Sequence, residues 1–176
     1  HKAVLDVCQK LERDGNRHGK FEITYLPVDQ FGLVDPEAVR QAITPQTILI
    51  SIMAANNEIG TIAPIAEIGA IAAEHDIFFH TDAAQAGGHI PLDVQAMKIH
   101  MLSLSAHKMY GPKGIGVLYR RRSNPRVQLE PVIYGGGHER GLRSGTLNVP
   151  AIVGFGEAAR LAKKEMVAED EQFRAW

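Results

Sequence analysis

The chain has 176 residues, 45% hydrophobic and 22% charged, a composition able to bury one globular core. Its formal net charge is −1 and its basic residues are scattered apart from Arg120-Arg121-Arg122, a run expected to decorate a strand end; a broad field for nucleic acid or an anionic membrane is thereby excluded. The single cysteine, Cys8, cannot form an intramolecular disulfide, which fits a reducing compartment (cytoplasm or an organelle matrix), and apolar stretches such as 48–55 are too short to span a bilayer.

From Lys2 to Asp14, the residues Val4, Leu5, Cys8 and Leu11 recur at spacings of three and four, which predicts an amphipathic helix with Cys8 on its buried face. The chain enters this pattern at once from His1, without an initiator Met, and is expected to be part of a longer polypeptide. A polar turn is expected over 15–19, then a short β-rich run over 21–26 closed by Pro27. Asp35-Pro36-Glu37 reads as a helix start: a capping carboxylate, a proline where no N–H is needed, and an acid near the positive end of the dipole. That helix is expected to reach about Thr44.

Residues 48–53 are nearly all apolar, as in a strand covered on both faces, and a proline-led helix follows from Pro64 to Glu74. Strand signals return over 77–81 and 101–104, with Asp82 and Ser105 just past their carboxyl ends, and over 115–119 behind a Gly-Pro-Lys-Gly turn. A closing helix is expected over 150–167. The alternation predicts an α/β domain, an open and mostly parallel sheet with helices on both faces, whose binding chemistry sits at the carboxyl ends of the strands.

Three strand-end segments carry chemistry. In Ser105-Ala106-His107-Lys108 a lysine leaves the sheet where a pocket wall could desolvate it, and desolvation frees a neutral amine for Schiff-base formation. A solvated loop lysine is the alternative. Asp82, in Thr81-Asp82-Ala83-Ala84-Gln85, could supply the carboxylate that keeps the ring nitrogen of pyridoxal phosphate (PLP) protonated, or simply cap a helix. Gln85 could equally be a surface amide. Asn56-Asn57-Glu58-Ile59-Gly60 offers an amide to a ligand oxygen, although Asn also forms turns readily. Gly135-Gly136-Gly137 lacks the following Lys-Ser/Thr of a nucleotide loop. No paired cysteines or His-Glu-x-x-His spacing point to a metal, and the few aromatics are not interleaved with basic residues as on a nucleic-acid platform.

Taken together in order, His1-Lys2-Ala3-Val4-Leu5-Asp6, the 56–60 loop, Thr81 to Gln85, Ser105 to Lys108 with Tyr110-Gly111-Pro112-Lys113-Gly114, Gly135 to Gly141, and Arg143-Ser144-Gly145-Thr146 resemble the cysteine desulfurases of iron-sulfur cluster assembly. The resemblance runs from His1 to about Met166. It implies the large domain of a fold-type I PLP enzyme, with the N-terminal segment and small C-terminal domain outside residues 1–176. Lys108 would then carry PLP covalently, Asp82 would pair with the pyridine nitrogen, and Gln85 would hydrogen-bond the phenolic oxygen. His1 would stack on the ring, and Ser105 and His107 would hold the phosphate. Asn57 would lie near the substrate carboxylate, and Thr146 would reach the phosphate of a partner subunit in a homodimer.

The resemblance further implies L-cysteine as substrate, alanine and a persulfide as products, and a sulfur-acceptor or scaffold protein as partner. The family's sulfur-accepting cysteine and its arginine for the substrate carboxylate lie beyond the position of Trp176, so this polypeptide alone is not expected to turn over cysteine. Cys8, on the early helix, is expected to be a buried structural thiol instead. A selenocysteine lyase or aminotransferase of the same superfamily, and a non-catalytic fragment, are the competing readings.

Overall fold

Short apolar runs rich in β-branched and aromatic residues pair here into one sheet. The computed structural model describes residues 1–15 and 19–175; most of the turn expected over 15–19 lies outside them. The strands are β1 (Leu49–Met53), β2 (Phe78–Asp82), β3 (Met101–Ser105) and β4 (Gly116–Arg120), in that spatial order. β1, β2 and β3 are parallel, and β4 runs antiparallel to β3. The mostly parallel open sheet expected from the alternation is therefore present.

The helices are α1 (Lys2–Arg13), α2 (Pro36–Ala42), α3 (Ile65–Glu74) and α4 (Val149–Arg174). The Asp35 carboxylate caps α2, accepting from Glu37 N at 2.9 Å, and Asn148 caps α4, its Oδ1 accepting from Ala151 N at 3.3 Å. α2 stops at Ala42, short of Thr44, because Pro45 disfavours helical geometry at the residue before it. α4 continues past Val167 to Arg174 through a stretch dominated by charge, where Arg174 pairs with Asp170 at 2.8 Å. Among the described residues no helix is long and apolar enough to cross a membrane.

Alternation along the strands divides the sheet into two unlike faces. Ile50, Phe79 and Leu102 point to one side, where Ile65, Ile68 and Ala72 of α3 and Val39 of α2 close the core. α3 lies so near the chain below it that a Cβ on Gly69 would sit 2.0 Å from the Met97 carbonyl oxygen. Gly69→Ala must therefore lift the helix or bend the 94–99 turn. It is expected to cost about 1–3 kcal/mol, seen as a lower urea midpoint with an unchanged slope. A midpoint equal to that of the parent would show that this approach is not tight.

The alternate positions, among them Ser51, His80 and Ser103, form the other face, and none of them is buried. Leu49 is 46% and Leu118 48% exposed there, so β1 is not covered on both faces as its apolar run suggested. α2 and α3 pack on the Phe79 side, and an uncovered face cannot be read from the hydropathy of one strand.

Two further expectations change. Residues 21–26 join no strand ladder among the described residues: Phe21 N donates to Leu11 O at 3.4 Å, so its backbone meets the end of α1 in place of a strand. α1 buries none of its residues, which leaves Cys8 half-buried where full burial was expected. The arginine run does close β4, and it does more. Arg121 donates to the Val94 and Ile99 carbonyls at 3.0 Å each, tying the preceding turn to the sheet.

Candidate cofactor site at the carboxyl edge of the sheet

Parallel pairing brings the carboxyl ends of β1, β2 and β3 to one edge. The segments leaving that edge carry Asn57, then Asp82 with Gln85, then Ser105 with His107 and Lys108. Asp82 and Lys108 thus come from the ends of adjacent strands, as the order of apolar runs predicted.

Lys108 lies in a 3-10 turn, Ala106–Met109, directly after β3. Ala106 and Met109 are buried anchors of the turn, which leaves Lys108 half-buried and His107 exposed. Tyr110 ends the turn in the left-handed region (φ 62), and Gly111 follows where a Cβ would meet the Ala106 carbonyl oxygen at 2.9 Å. The Lys108 backbone carbonyl accepts from His89 Nε2 at 2.9 Å, which assigns the ring proton to that nitrogen. The His89 ring also meets Tyr110 edge to face, with centroids 6.4 Å apart.

Ser105 Oγ and His107 Nδ1 are 2.9 Å apart. Whichever of them donates, the pair keeps a donor for an anion: His107 Nε2–H in one case, the Ser105 hydroxyl in the other. Asp82 is half-buried, and its Oδ1 accepts from Ala84 N at 3.1 Å; the segment after it is a turn and not a helix, so the bond closes that turn and the helix cap weighed from sequence is not formed. Its second oxygen has no protein donor among the described residues, so that bond leaves the carboxylate able to bind a cationic N–H. Gln85 is half-buried in the same turn. An acid, an amine and an imidazole-hydroxyl pair at one edge match the donor set that a pyridinium, an aldehyde and a phosphate require, and PLP fits these residues.

The remaining expected site residues, His1, Asn57 and Thr146, are all exposed. His1 is exposed at the N-cap of α1, its Nδ1 accepting from Ala3 N at 3.1 Å. Thr146 is exposed in the segment before α4. In the loop after β1 the turn is made by Asn56, which accepts from Glu58 N at 2.8 Å and Ile59 N at 3.1 Å, and Asn57 is exposed beside it. The glycine run is closed on itself: Gly137 N donates to Ser144 Oγ and Gly145 N to His138 Nδ1, both at 3.3 Å. No group of three or more His, Cys, Asp or Glu residues is placed to hold a metal ion among the described residues.

Sequence reasoning passed over two histidines. His80 bridges Ser51 on β1 (Nδ1 to Oγ, 2.8 Å) and Ser103 on β3 (Nε2 to Oγ, 2.9 Å). Burial lowers its pKa below the usual imidazole value, while the Asp82 charge pulls in the opposite direction. His100 is 4% exposed, and its Nδ1 accepts from Phe79 N at 2.9 Å; burial, then the Arg121 charge, lowers its pKa too. The available signal was polar residues at alternate positions of apolar strands: His80 with Asp82, and Ser103 with Ser105.

The model of the aminotransferase class-V family matches residues 1–174. Cysteine desulfurase IscS of Glaesserella parasuis serovar 5 is 57% identical over 175 residues, covering 99% of this chain and 42% of that protein. The solved structure of SspA in complex with cysteine superposes with a TM-score of 0.84 at 51% identity, over 91% of this chain and 44% of the other. A NifS-like protein superposes with a TM-score of 0.87 at 42% identity, over 96% and 44% of the respective chains. The chain therefore spans less than half the length of these relatives.

Proposed function

The chain belongs to the aminotransferase class-V family, and from that premise we propose that it is the cofactor-bearing part of a PLP-dependent cysteine desulfurase. The observation that carries the proposal is the arrival of Asp82 and Lys108 at the carboxyl ends of neighbouring parallel strands. The name of the IscS relative and the cysteine bound to the solved SspA structure support the choice of substrate.

In this reading PLP, when bound, supplies the electron sink that stabilises a carbanion at the substrate Cα. The chain supplies the rest. Lys108 Nζ would hold the cofactor carbon, and Lys108 or a nearby histidine would move the Cα proton. Asp82 keeps its free carboxylate oxygen on the pyridine N–H, and Gln85 hydrogen-bonds the phenolic oxygen. Ser105 and His107 hold the phosphate with their spare donor, joined by Thr146 from a partner subunit of a homodimer. His1 covers the ring face, and Asn57 binds near the substrate carboxylate. Sulfur leaves as a persulfide on a cysteine outside residues 1–176 and passes to an acceptor or scaffold protein.

The test uses the full-length protein. Incubation with L-cysteine is expected to release alanine and protein-bound persulfide in equal amounts. Release of neither would sink the desulfurase reading, and turnover of selenocysteine alone would replace it with a selenocysteine lyase.

A further inference from the structure

His80 ties three strands together through groups that most strands do not carry. Its two ring nitrogens lie 2.8 Å and 2.9 Å from the hydroxyls of Ser51 and Ser103, on either side of β2. Asp82 leaves the same face of β2 two residues later, roughly 6–7 Å along the strand. If joining β1 to β3 were the only requirement, apolar β-branched side chains would meet it without burying polar atoms. What the Ser-His-Ser bridge adds is a titratable ring held at a fixed distance behind the carboxylate.

The bridge also tolerates either charge state. A serine hydroxyl donates or accepts, so the neutral ring donates its N–H to one serine and accepts a hydrogen bond from the hydroxyl of the other. In the imidazolium both N–H groups donate and one hydroxyl rotates. The ring can therefore gain or lose a proton without losing a partner or moving.

We propose that His80, clamped between Ser51 and Ser103, is a positioning residue that sets the electrostatic environment of the Asp82 carboxylate; this rests on the cofactor site proposed above. The pairing registers define what else faces the ring. β1 contributes Leu49, Ser51 and Met53, and β3 contributes Met101, Ser103 and Ser105, none of them charged. Arg120 on β4 shares the face two strands away and is engaged with the Val127 carbonyl at 2.9 Å. His100, before β3, is committed to Phe79 N. Asp82 is thus the charge nearest along the strand. A neutral His80 leaves the carboxylate wholly available to the cofactor nitrogen, whereas an imidazolium would compete for it. Coupling of this kind is reciprocal, so a cation held by Asp82 must lower the proton affinity of His80.

The experiment is an NMR titration of the His80 ring in the full-length protein. Three states are compared: cofactor-free, PLP-loaded, and cofactor-free Asp82→Asn, with His80→Gln identifying the His80 signals by their loss. Both PLP loading and Asp82→Asn are expected to lower the His80 midpoint by about half a pH unit, roughly a threefold loss of proton affinity. Asp82→Asn keeps the Oδ1 that caps Ala84, so the turn should survive the change. Equal midpoints in cofactor-free parent and Asp82→Asn overturn the proposal, whatever PLP does. A fall with Asp82→Asn but none on loading, in protein that has turned yellow, upholds the His80-Asp82 coupling and overturns Asp82 as holder of the ring nitrogen.

Discussion

Lys108→Ala is expected to abolish the yellow, borohydride-reducible adduct with PLP and to lower kcat of the full-length protein by at least about 10³-fold. Both effects have one cause, since the same amine would hold the cofactor and carry the proton. The fold should survive. Ala106 and Met109 anchor the turn, and the Lys108 backbone carbonyl that receives His89 Nε2 is present whatever side chain stands there. Lys108→Arg should not restore the adduct, because a guanidinium does not give up its proton to become a nucleophile. Lys113, exposed in the Gly-Pro-Lys-Gly turn, is the rival amine. Reduction with borohydride followed by peptide mapping distinguishes them, and label on Lys113 in the parent protein would remove Lys108 from the site.

The edge that gathers these groups was legible in the sequence because parallel strands make their carboxyl ends equivalent. Apolar runs ending in Asp82 and Ser105 were enough to bring the two segments together without knowledge of any contact. Helix starts were equally plain, since Asp35-Pro36-Glu37 is a local signal with a local cause. What could not be read depends on partners distant in sequence. Residues 21–26 have strand composition but no strand beside them among the described residues, and the run over 48–53 has a core's hydropathy while Leu49 faces an open side. Cys8 follows a helical period that says which face is apolar, and not how deeply that face is covered. The Ser51-His80-Ser103 bridge needs the register of three strands at once, and no single window of sequence contains it.

Asp82→Asn separates holding the cofactor from activating it. The substitution preserves shape and the hydrogen bond from Ala84 N while removing the negative charge. Lys108 remains, so the yellow adduct should still form and still be reducible. The uncharged amide cannot keep a proton on the pyridine nitrogen, and breaking a partly buried charge pair from one side is worth about 3–5 kcal/mol. Realised in the transition state, where the ring accepts electron density, that corresponds to a fall in kcat of roughly 10²–10⁴-fold. Asp82→Ala should be worse in a second way, since it also removes the hydrogen bond from Ala84 N and about 0.5–1.5 kcal/mol of stability with it. A full-length Asp82→Asn protein that is yellow and turns over cysteine at the parent rate would show that the carboxylate only caps the turn. Full colour with almost no turnover would show that capping and activation are two uses of one side chain, served by different oxygens.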